Sequence, residues 1–382
     1  MTNMTGRERF RAATLGEPVD RVPIWLREGF EFHLPPPTRD DFSGSWQALP
    51  EYLAFREFAE PFCDLRVNWA PGAHFNRTLG IPPDRISSTV EQVTGNLRRT
   101  TQSIHTPKGV LTGVRESHRG EKTAWTVKYP VESLDDLERL RSVPFEVAPV
   151  NYAGYERANE LVGDRGMPCL NVSSPWVVFS TCMPFELALM WSASDPGLVH
   201  EVLEEITARA LACLEAVFAR PLDTMANIGG CEQCTPPMMS PDAFAEFVTP
   251  YEGRIVSFLR SHGVPVNCHC HGRVSTALGE MVSMGCDSTD PVEPPFGGGD
   301  VTMVQARELV GDSLTLCGNL QFDELERSTP EAIRQRVRET IDTGKRRLIL
   351  SASAGPISRP SRRMLANYRA WIDAALEFGQ CD

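Results

Sequence analysis

The sequence predicts an α/β fold, a (β/α)8 TIM-type barrel with a β-hairpin insertion after the second strand, and three observations carry that expectation. From about Gly166 onward, short apolar runs alternate with longer stretches of helical period. Along the whole chain eight strand-like runs can be placed, the number that closes a barrel. The helical stretches open on Ser or Thr followed by Pro, and two of them end at glycine.

The first two strands are expected over residues 21–26 and 64–67. A long segment follows, roughly 68–165, in which 110–116 and 122–129 flank the polar turn His118-Arg119-Gly120-Glu121, the pattern of a hairpin. Six more strands are expected at 168–172, 224–228, 264–268, 286–289, 314–317 and 347–350, each short and apolar as buried parallel strands are. Between them, helices are expected over 243–261, 332–343 and 362–378, with caps at Ser240-Pro241-Asp242, at Ser328-Thr329-Pro330-Glu331 and within 358–361; Gly263 and Gly344 close the first two. No repeat, low-complexity tract or Gly/Ser linker divides the chain, so 1–382 reads as a single domain with 68–165 as a variable insertion, forming part of a pocket wall or a dimer contact.

Composition narrows the function classes. A hydrophobic share of 41% with 23% charged residues suits a chain that buries a sizeable core. The net charge of -12 argues against nucleic acid as a partner, because such binders concentrate Lys and Arg. No run of apolar residues is long enough for a membrane helix, and the polar stretch from Met1 to Arg11 lacks a signal-peptide core, so a cytoplasmic location is expected. With an odd cysteine count of 11 and no export signal, reduced thiols are expected.

The richest segment for chemistry is Val266-Asn267-Cys268-His269-Cys270-His271-Gly272, at the expected C-terminal end of a strand, where barrel active sites lie. Alternation along a strand turns His269 and His271 to one side and Cys268 and Cys270 to the other. Two converging imidazoles suit a borderline metal such as zinc; the alternative is a pair of histidines hydrogen-bonded within the barrel mouth. One unit earlier, Glu232 follows a strand and offers a third ligand or a general base. Its neighbours Cys231 and Cys234 form a CxxC, which together with the two histidines gives a second option, a structural zinc site of two thiolates and two imidazoles. One unit later, Asp290 and Glu293 sit in a Pro-stiffened loop, and either carboxylate can complete a ligand set with the two histidines or stay solvated. The following Gly297-Gly298-Gly299 lacks the ending of a phosphate loop. Trp25, Arg27, Glu28 and Asp64 fall at the ends of the first two strands, and Arg27 can fork onto a substrate carboxylate or serve as a structural partner. Trp176 offers an aromatic wall or core packing, and Ser351 stands among small residues on the last strand where a ligand can approach the backbone.

Several short motifs, in order and spacing, resemble the uroporphyrinogen decarboxylase superfamily, which includes corrinoid- and coenzyme M-dependent methyltransferases. They are Arg7-Glu8-Arg9-Phe10, Gly16-Glu17-Pro18-Val19-Asp20-Arg21-Val22-Pro23, Ser174-Pro175-Trp176, Ser240-Pro241, Gly318-Asn319-Leu320 and Ile349-Leu350-Ser351. The resemblance implies a (β/α)8 barrel and a homodimer, and places Trp25, Arg27, Asp64, Trp176, Asn319 and Ser351 toward a substrate. In the decarboxylases two arginines after a Pro-x-Trp start, with an aspartate on the next strand, bind a tetrapyrrole without metal. Arg27 and Asp64 fall near those positions, but the stretch continues Glu28-Gly29-Phe30-Glu31, and the last strand lacks the Gly-His-Gly of that branch. In the methyltransferases His-x-Cys-Gly and a later Cys bind a zinc that activates a thiol. Here the motif is His269-Cys270-His271-Gly272, with Ala354 or a nearby serine at the last position.

The leading expectation is a zinc-dependent methyl- or alkyltransferase on a small methylated substrate, with a thiol or a corrinoid, carried by a corrinoid protein, as acceptor. His269, His271 and Glu293 or Glu232 would hold the metal, and Glu232 or Asp290 would move a proton. The alternative is a metal-independent decarboxylase or other lyase of a small carboxylic acid, with Arg27 on the carboxylate. A non-catalytic binding protein is a third class.

Overall fold

A computed structural model describes residues 3–27, 30, 32–34, 45–72, 81–121, 123–356 and 359–381; Glu28, Gly29, Glu31, Lys122 and Ser358, named above, lie outside them. Eight parallel strands form one sheet: β1 (Ile24–Trp25), β2 (Leu65–Trp69), β7 (Gly166–Ser173), β8 (Met225–Gly229), β9 (Val266–His269), β10 (Ser288–Asp290), β11 (Thr315–Leu320) and β12 (Leu348–Ala352). They lie in the order β1-β12-β11-β10-β9-β8-β7-β2, each strand beside its neighbour in sequence apart from β1 and β2 at the two ends. Those ends meet through Asp64, whose N–H donates to the Ile24 carbonyl at 2.8 Å while its carboxylate accepts from the Ile24 N–H at 3.0 Å. The expected barrel is therefore present, and each of its eight strands overlaps the run from which it was expected.

β1 is shorter than the sequence suggests. Pro23 has no N–H for a ladder, and Arg21 turns away to bridge Gln380 in antiparallel fashion. The expected helix over 243–261 is two pieces, Ala243–Phe247 and Thr249–Ser261, because Pro250 cannot continue the ladder and its ring crowds the preceding turn. The hairpin is present as β5 (Gly109–His118) against β6 (Ala124–Lys128). Two further strands, β3 (Ile86–Gln92) and β4 (Leu97–Thr106), enlarge it to a four-stranded antiparallel sheet. Their side chains are largely polar and half exposed, so they lack the apolar alternation by which a strand is recognised.

The N-terminal end of the barrel is plugged by the helix Gly6–Leu15, which starts in a Thr5/Glu8 capping box and stops at Gly16, whose φ of 75° suits a residue without Cβ. Its Phe10 meets Trp25 edge to face at 6.2 Å, and an apolar floor of Met167, Cys169, Met225, Cys317 and Ile349 fills the barrel beneath the mouth. The larger core lies between the sheet and the surrounding helices. Among the described residues no helix is long and apolar enough to cross a membrane.

Candidate functional site

Above the apolar floor the barrel interior turns polar. On β9 the alternation puts Asn267 and His269 inward and Cys268 into the outer core, and His271 follows two residues beyond His269 on the same side. The two imidazole rings stand 4.7 Å apart, centroid to centroid, at an angle of 89°. Gly272 follows at φ 80°, a conformation open to glycine, and its N–H donates to Glu293 Oε2 at 2.5 Å.

Each imidazole has a carboxylate against its Nδ1. Asp290 Oδ2 is 3.2 Å from Nδ1 of His269, and Glu293 Oε1 is 3.3 Å from Nδ1 of His271. Asp290 is fully buried and central. It ion-pairs with Arg27 at 2.7 Å, lies 3.7 Å from Arg66, and accepts a short hydrogen bond from Asn267. Burial pushes its carboxyl up, but Arg27, His269 and Arg66 outweigh that and hold it well below the ordinary carboxylate range. Glu293 behaves alike: burial raises it, and His271, the Gly272 N–H and Arg27 bring it down. Asp290 ends β10, and the loop that follows it with Glu293 is pinned farther along, where Asp300 Oδ1 accepts from the Ser275 N–H at 3.1 Å.

The structure thus brings Arg27, His269, His271, Asp290 and Glu293 together. Arg27 adopts a left-handed backbone at φ 69°, which for a side chain of this size is a strained conformation found most often at functional positions. Trp25 joins them from β1, 5.1 Å from the Arg27 guanidinium and 3.9 Å from that of Arg66. Arg66, which the sequence reading passed over, reaches Asn227 at 3.4 Å as well as Asp290. The signal for it was the phase of β2: Arg66 and Asn68 alternate with Leu65, Val67 and Trp69, so the polar pair faces the barrel axis. Asn267 completes the layer by donating to Asn227 at 2.7 Å.

Beside this layer, between β1 and β2, lies a cavity of about 230 Å³ lined by Trp25, Arg27, Phe30, Phe32, Asp64, Arg66 and Asn68. His269 and His271 are not among its walls; Arg27 stands between cavity and histidines.

The other expected site residues sit elsewhere. Asp64, away from the histidine group though on the edge of the cavity, precedes β2 at the N-terminal end, and its oxygens accept from Arg9 at 2.7 Å, Arg21 at 2.8 Å and the Ile24 N–H, so it closes the barrel. Trp176 is fully buried against Phe179 and Phe247 and is core, not pocket wall. Asn319 turns outward, accepting from Arg336 at 3.1 Å and Thr340 at 3.3 Å on the helix Pro330–Asp342. Ser351 is buried, with its hydroxyl on the Ala352 carbonyl at 3.0 Å. Glu232 lies close enough to Glu252 and Cys270 to raise both. It joins no ligand group with the histidines: among the described residues the three donors that lie within 4.8 Å of one another are Cys231, Glu252 and Cys268. Cys234 bonds instead to the Ala243 carbonyl at 3.3 Å, so the CxxC does not converge on the histidines.

A family model described as uroporphyrinogen decarboxylase (URO-D) matches residues 116–378. Curated relatives include the uroporphyrinogen decarboxylase of Shewanella piezotolerans, 25% identical over 88% of this chain and 87% of its own. That of Xanthomonas campestris is 25% identical over 89% and 88%, and that of Coxiella burnetii 23% identical over 85% and 82%. Among solved structures, a methyltransferase from Methanosarcina mazei superposes with a TM-score of 0.63 at 20% identity, covering 98% of this chain and 99% of its own, and so shares the fold. With more than half of its length matched by that model, this chain belongs to the uroporphyrinogen decarboxylase (URO-D) family.

Proposed function

We propose that this chain is a methyl- or alkyl-group transfer enzyme acting on a small methylated substrate, with zinc held at His269, His271 and Glu293 and a thiol or corrinoid as acceptor. The observation that supports this most is the pair of carboxylate-anchored imidazoles at the C-terminal end of β9. Metal-binding histidines commonly have one ring nitrogen fixed by a carboxylate. The separation of 3.3 Å between His271 Nδ1 and Glu293 Oε1 also suits two ligands of one tetrahedral ion. In this reading His271 and Glu293 supply two of the ligands, and the His269 ring, 4.7 Å from that of His271, would turn to supply the third.

When bound there, zinc would supply Lewis-acid polarisation of the heteroatom that carries the methyl group. Asp290, ionised under the pull of Arg27 and Arg66, holds Nδ1–H of His269 and leaves Nε2 as the nitrogen with a free lone pair. Glu293, a ligand in this reading, is itself fixed by the Gly272 N–H. Trp25 and the Arg27 and Arg66 guanidinium groups form one wall of the adjoining cavity, where a small polar substrate would lie.

The test is metal content and turnover of the full chain beside His269→Ala and His271→Ala, with methoxy, methylthio and methylamine substrates and thiol and cobalamin acceptors. Loss of one zinc per chain together with transfer activity is the expected result. Unchanged metal content and turnover in both variants would sink the reading.

A second reading rests on the chain Arg27–Asp290–His269, with separations of 2.7 and 3.2 Å. In a metal-independent decarboxylase or lyase, Arg27 would hold the substrate carboxylate and His269, polarised by Asp290, would deliver the proton to the carbanion. That activity would survive a chelator and fail in Arg27→Ala.

A further inference from the structure

We propose that Cys231, Cys268 and Glu252 form a zinc site of their own on the helix side of the barrel wall, separate from the histidine group and independent of the transfer reading. Cys231 opens the single turn after β8, Cys268 is the outward-facing residue of β9, and Glu252 comes from the helix Thr249–Ser261 packed over them. Their donor atoms all lie within 4.8 Å of one another, and all three residues are fully buried.

The geometry suits a tetrahedral thiolate site. With Zn–S bonds of about 2.3 Å, two sulfurs sharing one zinc stand about 3.8 Å apart, and Cys231 Sγ is 3.7 Å from Cys268 Sγ. Further thiols adjoin the pair, Cys270 beside Cys231 and Cys286 beside Cys268, but neither joins the group whose donors all lie within 4.8 Å of one another. Two sulfurs with one carboxylate are the donors of a borderline cation, not of calcium or magnesium.

Glu252 is the independent observation. Cysteines are common in cores as small apolar side chains, and four of them together need no ligand. A carboxyl group buried among them does, because a polar group away from water is costly without a partner. Both Glu252 oxygens are buried, and neither meets a well-placed hydrogen-bond partner among the described residues; Ser174 is a polar neighbour.

The site also has a mechanical role. Cys231 Sγ lies 3.5 Å from the His269 carbonyl oxygen, so an ion here would tie the ends of β8 and β9 together directly behind the histidine that faces the mouth. Metal bound by such a buried group enters as the chain folds.

The experiment is to produce the full chain in medium supplemented with cobalt(II) in place of zinc, both as it is and as the His269→Ala/His271→Ala double variant. The expected result is a thiolate-to-cobalt charge-transfer band in the near ultraviolet that persists in the double variant and disappears in Cys231→Ser. In Glu252→Gln a competing chelator should remove the ion at least tenfold more readily. Should the serine variant fail to fold, X-ray absorption of the double variant decides, with two sulfurs about 2.3 Å from the metal expected. A folded double variant without sulfur at that distance, or a band unchanged in a folded Cys231→Ser, would overturn the proposal. A folded double variant that keeps both the metal content and the turnover of the parent would overturn only the transfer reading.

Discussion

Asp290 Oδ2 stands 3.2 Å from His269 Nδ1 and 2.7 Å from the Arg27 guanidinium, so one buried carboxylate fixes both the histidine of β9 and the arginine that follows β1. In Asp290→Asn the amide has the same shape but no charge. The expected cost is about 3–5 kcal/mol in urea unfolding, because buried cations lose their counter-ion, together with a loss of activity beyond tenfold. Since this carboxyl lies below its ordinary value when folded, its stabilisation is complete above the unfolded value near pH 4 (~3.9). It is lost as pH falls from there. A variant with wild-type acid sensitivity would contradict this.

Asp20 gives a second acid-sensitive contribution, at the opposite end of the barrel. Burial raises its carboxyl, but hydrogen bonds from Arg9 and from the Met4 and Arg21 N–H groups, with the charge of Arg9, bring it down to about 2. Its contribution of about 2 kcal/mol should be complete above pH ~4 and fade as pH falls toward ~2. Urea midpoints of Asp20→Asn and the parent should therefore differ at neutral pH and converge in acid.

Trp176 should behave as a core residue. Trp176→Ala is expected to cost about 3–5 kcal/mol, whereas Trp176→Phe should keep the KM of the parent. A shifted KM at unchanged Tm in the phenylalanine variant would return this residue to the pocket.

Glu293→Gln should weaken metal binding at the mouth ~10-fold or more, because a neutral amide takes the place of a carboxylate ligand. Competition with a chelator in the presence and absence of the His271→Ala change would measure it. A further loss in the His271→Ala background is expected of a carboxylate that ligates on its own, and no further loss there would show that it acts only through His271, against the ligand role.

The barrel was legible because period-2 apolar runs and capped helices are local patterns: Ser361 accepts from the Met364 N–H and Thr329 from the Ala332 N–H as their positions foretold. The facing of His269 and Cys268 was legible for the same reason, since alternation along a strand needs no partner. The strands Ile86–Gln92 and Leu97–Thr106 were not, because they pair with each other largely through backbone and expose much of their polar surface.

What the sequence by itself determined is the eight-strand barrel, the histidine pair at the end of β9 and the nearby carboxylates, all set by residue type and spacing along one segment. Tertiary structure alone decided which carboxylate meets which imidazole, that Asp64 closes the barrel beneath the site, and that Cys231 finds Cys268 and not Cys234. Those pairings join segments far apart in the chain. They depend on strand register and on the side of the sheet each helix covers, which local pattern does not encode.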